Sequence, residues 1–115
     1  MLDDVSITAL HAALNGLAAR QRAISDDIAN VNTPFFRARQ VSFEGDLKRA
    51  LEDGEDPMAV TPSITYSTDP GGLTGNNVDL DAETVQGVDT QLRYELALRA
   101  AGDRFTLLRT AIRGS

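Results

Sequence analysis

The sequence predicts a mainly α chain: two long terminal helices paired as an antiparallel, coiled-coil-like hairpin. They hold an irregular central segment with one short helix and one candidate short strand. Three observations lead there: a heptad-spaced apolar seam near the N-terminus, a second long periodic segment near the C-terminus, and prolines and glycines crowded between them. The expected divisions are 1–34 for the first helix and its turn, 35–78 for the central segment and 79–115 for the last helix. The two outer segments would form one helical core.

In the first segment the apolar residues fall at Ile7, Leu10, Leu14, Leu17, Ile24, Ile28 and Val31, with Gln21 as the polar interruption. This alternation of three and four is that of a helix packed lengthwise on another. Asp3 or Asp4 can accept from the free amides of the first turn, where negative charge is favoured. The helix is expected to run to about Asn30. Asn30 and Asn32 tolerate left-handed backbone, and Pro34 cannot continue a helix.

The centre reads differently. It holds Pro57, Pro62 and Pro70 together with Gly45, Gly54, Gly71, Gly72 and Gly75. A short helix is expected over 43–52, with Ser42 as its cap, Phe43, Leu47, Ala50 and Leu51 on one side, and Gly54 as its stop. Weak alternation around Ile64 and Tyr66 suggests an extended stretch over 63–68. Asp69-Pro70-Gly71-Gly72 reads as a turn, because Pro fixes φ and Gly permits positive φ.

The last helix is expected to begin near Asp79 or Asp81, with Glu83 in the first turn, and to end near Gly114 after Arg109 and Arg113. Its apolar residues form two stripes. Tyr94, Leu98, Ala101, Phe105, Leu108 and Ile112 fall on one side, for the first helix to cover. Val85, Val88, Leu92, Leu96 and, more loosely, Leu107 fall roughly opposite. A hairpin cannot cover both. Burying a Leu or Phe is worth about 1.5–3 kcal/mol, while ordering each residue costs on the order of 1–2 kcal/mol. Neighbouring chains are therefore expected to complete the core. Gly87 and Gly102 either permit close helix approach or simply weaken the helix.

Composition narrows the function classes. The chain has 115 residues, enough for one domain, with 42% hydrophobic and only 5% aromatic residues and no Trp. A net charge of −6 argues against general nucleic-acid binding. The charge is uneven: 44–56 is acidic, and from Gln91 onward Arg93, Arg99, Arg104, Arg109 and Arg113 outweigh Glu95 and Asp103. These patches either meet between copies or partners, or are solvated faces. There is no Cys, so thiolate metal sites and disulfides are excluded. No apolar run is long enough to span a bilayer. The acidic start MLDDVSITAL is unlike a cleavable signal, which implies retention in the cytoplasm or export by another route.

No catalytic constellation is apparent. Asp79, Asp81 and Glu83 lack the ligand string of a calcium loop and read as capping residues. His11, the only histidine, has no thiol or placed carboxylate partner. The glycines at 71, 72 and 75 lack the following Lys-Ser/Thr of a phosphate loop. Neither metal nor cofactor is expected.

Two segments are more specific. Ala29-Asn30-Val31-Asn32-Thr33-Pro34-Phe35-Phe36-Arg37 leaves the first helix, and Gly75-Asn76-Asn77-Val78-Asp79-Leu80-Asp81-Ala82-Glu83 enters the last. Each is a turn with polar side chains suited to the orphan backbone groups of a helix end. Here the chain resembles the flagellar rod, hook and hook-associated family, whose N-terminal signature is of the form ANxxTPGY. Phe35 replaces the usual Gly, and Phe36 stands where an aromatic is expected. The second segment, with Gln91-Leu92-Arg93-Tyr94 and the stretch from Phe105 to Gly114, is most similar to proximal rod members. The short length agrees with that.

The resemblance implies a structural subunit of the bacterial basal body, in the periplasm-spanning rod. Such a subunit passes through the flagellar export apparatus without signal cleavage. It stacks helically with copies of itself and other rod proteins, near the adaptor between membrane ring and rod. A soluble cytoplasmic helical adaptor or export chaperone is the rival class. It needs neither turn signature and would be well folded alone.

Overall fold

The computed structural model describes residues 2–113, leaving aside the side chains of 2–4, 105, 107, 108 and 111–113. Phe105, Leu108 and Ile112 of the expected inward stripe lie outside the described side chains, as does Leu107 of the opposite one. Chain order is α1 (Leu2–Ala29), β1 (Arg39–Ser42), α2 (Glu44–Glu52), a 3-10 turn (Pro57–Ala59), β2 (Ser63–Tyr66) and α3 (Leu80–Arg113). The chain is mainly α, and α1 and α3 pack against each other. The molecule measures 64 × 27 × 14 Å.

The main apolar cluster lies where the central segment folds back onto α1. Leu17, Ala23 and Ile24 from α1 are buried, as are Val41 and Phe43 and, from α2, Leu47 and Ala50. Tyr94 and Ala97 of α3 pack against this cluster from the other side. Phe43 reaches α1 through a notch: a Cβ on Gly16 would lie 2.5 Å from the Phe43 ring. Arg20 covers that ring with its guanidinium carbon 5.1 Å from the centroid. Its Nη1 and Nη2 then grip Glu44, both at 2.6 Å. Nε and Nη2 donate to the Val41 carbonyl at 3.2 and 2.8 Å. This bidentate grip pulls the Glu44 carboxyl down to about 2.

Several local expectations change. Ser42 does not cap α2; it ends β1, and α2 begins after Phe43 without a side-chain cap. The extended stretch is shorter than expected, Ser63–Tyr66, and pairs antiparallel with β1, Val41 opposite Ile64. Alternation failed to mark β1 because only Val41 of its four residues is buried. The tight turn falls later than Asp69–Gly72: the Gly75 N–H donates to the Gly72 carbonyl at 2.9 Å, with Gly75 at φ +77°. Gly87 is not required for close helix approach, since an added Cβ would meet Ile24 at an ordinary 3.5 Å.

Phe35 has φ +63°, a left-handed conformation that Gly adopts most readily. A non-Gly residue pays about 1–2 kcal/mol for that conformation. The residue is nonetheless 81% exposed.

Candidate functional site

Two features are candidates for assembly: the locked loop junction at one end of the helix pair and the outward face of α3. At the junction, α1 ends with the Asn30 side chain donating to the Asp26 carbonyl at 2.8 Å. Thr33 Oγ1 donates to Asn30 Oδ1 at 3.0 Å, folding the exit back on itself before Pro34. The second loop then ties down the first. Asn76 Nδ2 donates to the carbonyls of Asn30 and Thr33, both at 2.8 Å. The Phe35 N–H donates to the Thr74 carbonyl at 2.9 Å, and the Asn77 N–H to the Phe36 carbonyl at 3.2 Å.

Asn77 is the central link. Its Oδ1 accepts from the buried Ala38 N–H at 2.7 Å, and its Nδ2 donates to the carbonyls of Ser67 and Asp69 at 3.1 and 3.2 Å. Asp79 caps α3, accepting from the Ala82 N–H through Oδ1 at 3.2 Å and from the Glu83 N–H through its carbonyl at 2.9 Å. Asp81 sits exposed in the first turn, as Asn32 does in the first loop.

Glu83 is not a capping residue. It is turned inward, 6% exposed, against Asp27 of α1, which has no exposed surface at all. Burial and the neighbouring Asp27 push the Glu83 carboxyl up to about 7. No local pattern marks this pairing, because Asp27 and Glu83 lie 56 positions apart and meet only when α1 and α3 pack. Among the described residues, no group of three or more His, Asp and Glu side chains is placed to hold a metal ion.

The other candidate residues separate into inner and outer sets. On α1, Leu17 and Ile24 are buried, and Ile7, Leu10, Leu14 and Ile28 are half-buried, as is Val31 just beyond the helix. On α3, Tyr94 is half-buried against the core, while Leu98 turns outward and Ala97 takes the inward place. Val85, Val88, Leu92 and Leu96 form one outward stripe, exposed by 69, 67, 54 and 54%. Beside it, Ile24, Ile28, Gly87, Val88 and Leu92 help line an open groove of about 570 Å³ along the α1–α3 seam. Val88 and Leu92 belong to both stripe and groove, and Gln21, Glu83, Gln91 and Glu95 give the groove a polar share.

No protein-family model matches the chain. Curated relatives do. The chain is 32% identical to the flagellar basal body rod protein FlgB of Escherichia coli K12, over 87% of this chain and 88% of that protein. The chain belongs to the FlgB family of flagellar basal body rod proteins. Similarity to FlgB of Bacillus subtilis is 31% over 95% of this chain and 94% of the relative. Similarity to FlgB of Salmonella typhimurium is 29% over 99% of both. The family likeness therefore runs through the central segment as well as the two ends, in bacteria of widely different kinds. FlgB membership places the chain among structural flagellar rod proteins of the basal body. Among its described residues no helix is long and apolar enough to cross a membrane.

Proposed function

We propose that this chain is a proximal rod subunit that assembles helically through its terminal helices, transmits torque along the rod and helps enclose the export channel. The observation that carries the proposal is the outward stripe of α3, Val85, Val88, Leu92 and Leu96, in a member of the FlgB family. A single chain leaves that stripe wet, and each residue gains about 1.5–3 kcal/mol if a neighbour buries it fully.

In this reading α1 and α3, with the two turns, act as one helical core. Ile7, Leu10, Leu14, Leu17, Ile24 and Ile28 hold α3 in place, and the α3 stripe meets neighbours. The central segment, roughly 35 to 78, braces α1 from within and offers β2 and its loops to other subunits. The partners are copies of this chain, other rod proteins and the adaptor between membrane ring and rod. The subunit reaches its place through the flagellar export apparatus, without signal cleavage.

The test is the double substitution Leu92→Asp/Leu96→Asp. Both positions are exposed in the isolated chain, so its melting temperature should change little. In the assembly the two carboxylates would be buried without partners, and rods and motility should be lost. Normal rods from the double variant would reject this face as the interface.

A further inference from the structure

We propose that Asp27 and Glu83 form a built-in proton-binding site at the root of the helix pair, so that raising the pH through neutrality releases a proton and loosens the joint between α1 and α3. The geometry is specific. Asp27 is completely buried, and both its oxygens accept from the Arg39 backbone N–H, at 3.2 and 3.0 Å. Glu83 comes from the first turn of α3, is almost as deeply buried, and leaves Oε2 without a partner among the described residues.

The charges around the pair do not neutralise it. Arg39 is the cation facing it from β1, but its Nη2 is drawn outward to Asp26 at 2.9 Å. Its Nε stands 3.7 Å from Asp27 Oδ1 and makes no hydrogen bond. From the start of α3, Asp79 adds further negative charge beside Glu83. Two buried carboxylates facing one half-committed guanidinium leave excess negative charge in a poorly solvated place. One proton on Glu83 removes it. The upward displacement of Glu83 to about 7 agrees with that arrangement.

The direction of the effect follows from proton counting. Between an ordinary carboxylate value of 4.5 and about 7, the folded chain holds a proton that the unfolded chain has released. Stability then falls with each rise in pH across that window, and the loss is complete above it. Glu83 also borders the groove beside the α3 stripe, but the proton site is read in the free chain, so its failure would leave the proposed rod role untouched, and the reverse also holds.

The experiment uses the full chain and compares melting between pH 5.5 and 8.5. The wild type should lose on the order of 5–10 °C across that range. Glu83→Gln, which carries no titrating group there, should show a much flatter profile. Asp27→Asn keeps an acceptor for the Arg39 N–H but removes the facing charge. In that variant, carbon-detected NMR titration of the Glu83 carboxyl should show a midpoint shifted downward from the wild-type value. An equal pH slope in Glu83→Gln and wild type would overturn the proposal. So would a wild-type Glu83 midpoint in the ordinary carboxylate range.

Discussion

Replacing Phe43 with Ala is expected to destabilise the isolated chain by about 3–5 kcal/mol, the range for emptying a buried aromatic position. Phe43 is only 3% exposed and joins three parts of the molecule. Its ring fills the notch over Gly16, packs in one cluster with Leu17, Val41 and Leu47, and lies under the Arg20 guanidinium. Removing it leaves a hole that the notch cannot close, because Gly16 has no side chain to move into it. The Arg20 clamp on Glu44 would lose its platform at the same time. Urea denaturation of the purified chain measures the loss. Hydrogen exchange should show β1 and α2 opening well before the α1–α3 pair. A variant as stable as wild type would mean that the central segment is not held by this contact.

The Asn77→Ala variant is expected to lose about 2–3 kcal/mol, although the position is in a loop. The substitution strips the buried Ala38 N–H of its acceptor, and an orphaned buried donor costs about 1–3 kcal/mol. It also removes the two donations that hold the Ser67 and Asp69 carbonyls. Asn77→Asp should fall between wild type and Ala, since a carboxylate still accepts from Ala38 but cannot donate. Thermal melting of the three chains orders them. The same measurement distinguishes a structural link from a surface contact: an exposed loop asparagine with no role in folding would leave all three equal.

The long helices were legible because periodicity records burial over many turns, and 28 and 34 residues give it room. The exposed α3 stripe was legible for the same reason: two apolar faces on one helix exceed what one partner helix covers. Asn76 and Asn77 stood out as turn chemistry, though not as the residues that tie one loop to the other, since their partners lie far along the chain. What stayed hidden depends on tertiary placement. Nothing local marks Arg20 as the partner of Glu44, or Gly16 as the floor beneath Phe43. Glu83 looked like a helix-start acid because its position in the first turn suits one; only packing turns it toward Asp27. Leu98 exchanged places with Ala97 because the two flank Tyr94 at i+4 and i+3, on opposite sides of it, and apolarity favoured the larger Leu98 although the seam runs on the Ala97 side.

The outward face of α3 is the element on which the account of assembly stands. The chain has no native Cys, so a single Leu92→Cys substitution provides a unique thiol on that face. Its rate of reaction with a maleimide should be compared in the free chain and in isolated basal bodies. Labelling should be rapid in the free chain and strongly suppressed in the rod. Equal labelling in both would contradict burial of that face in the assembly.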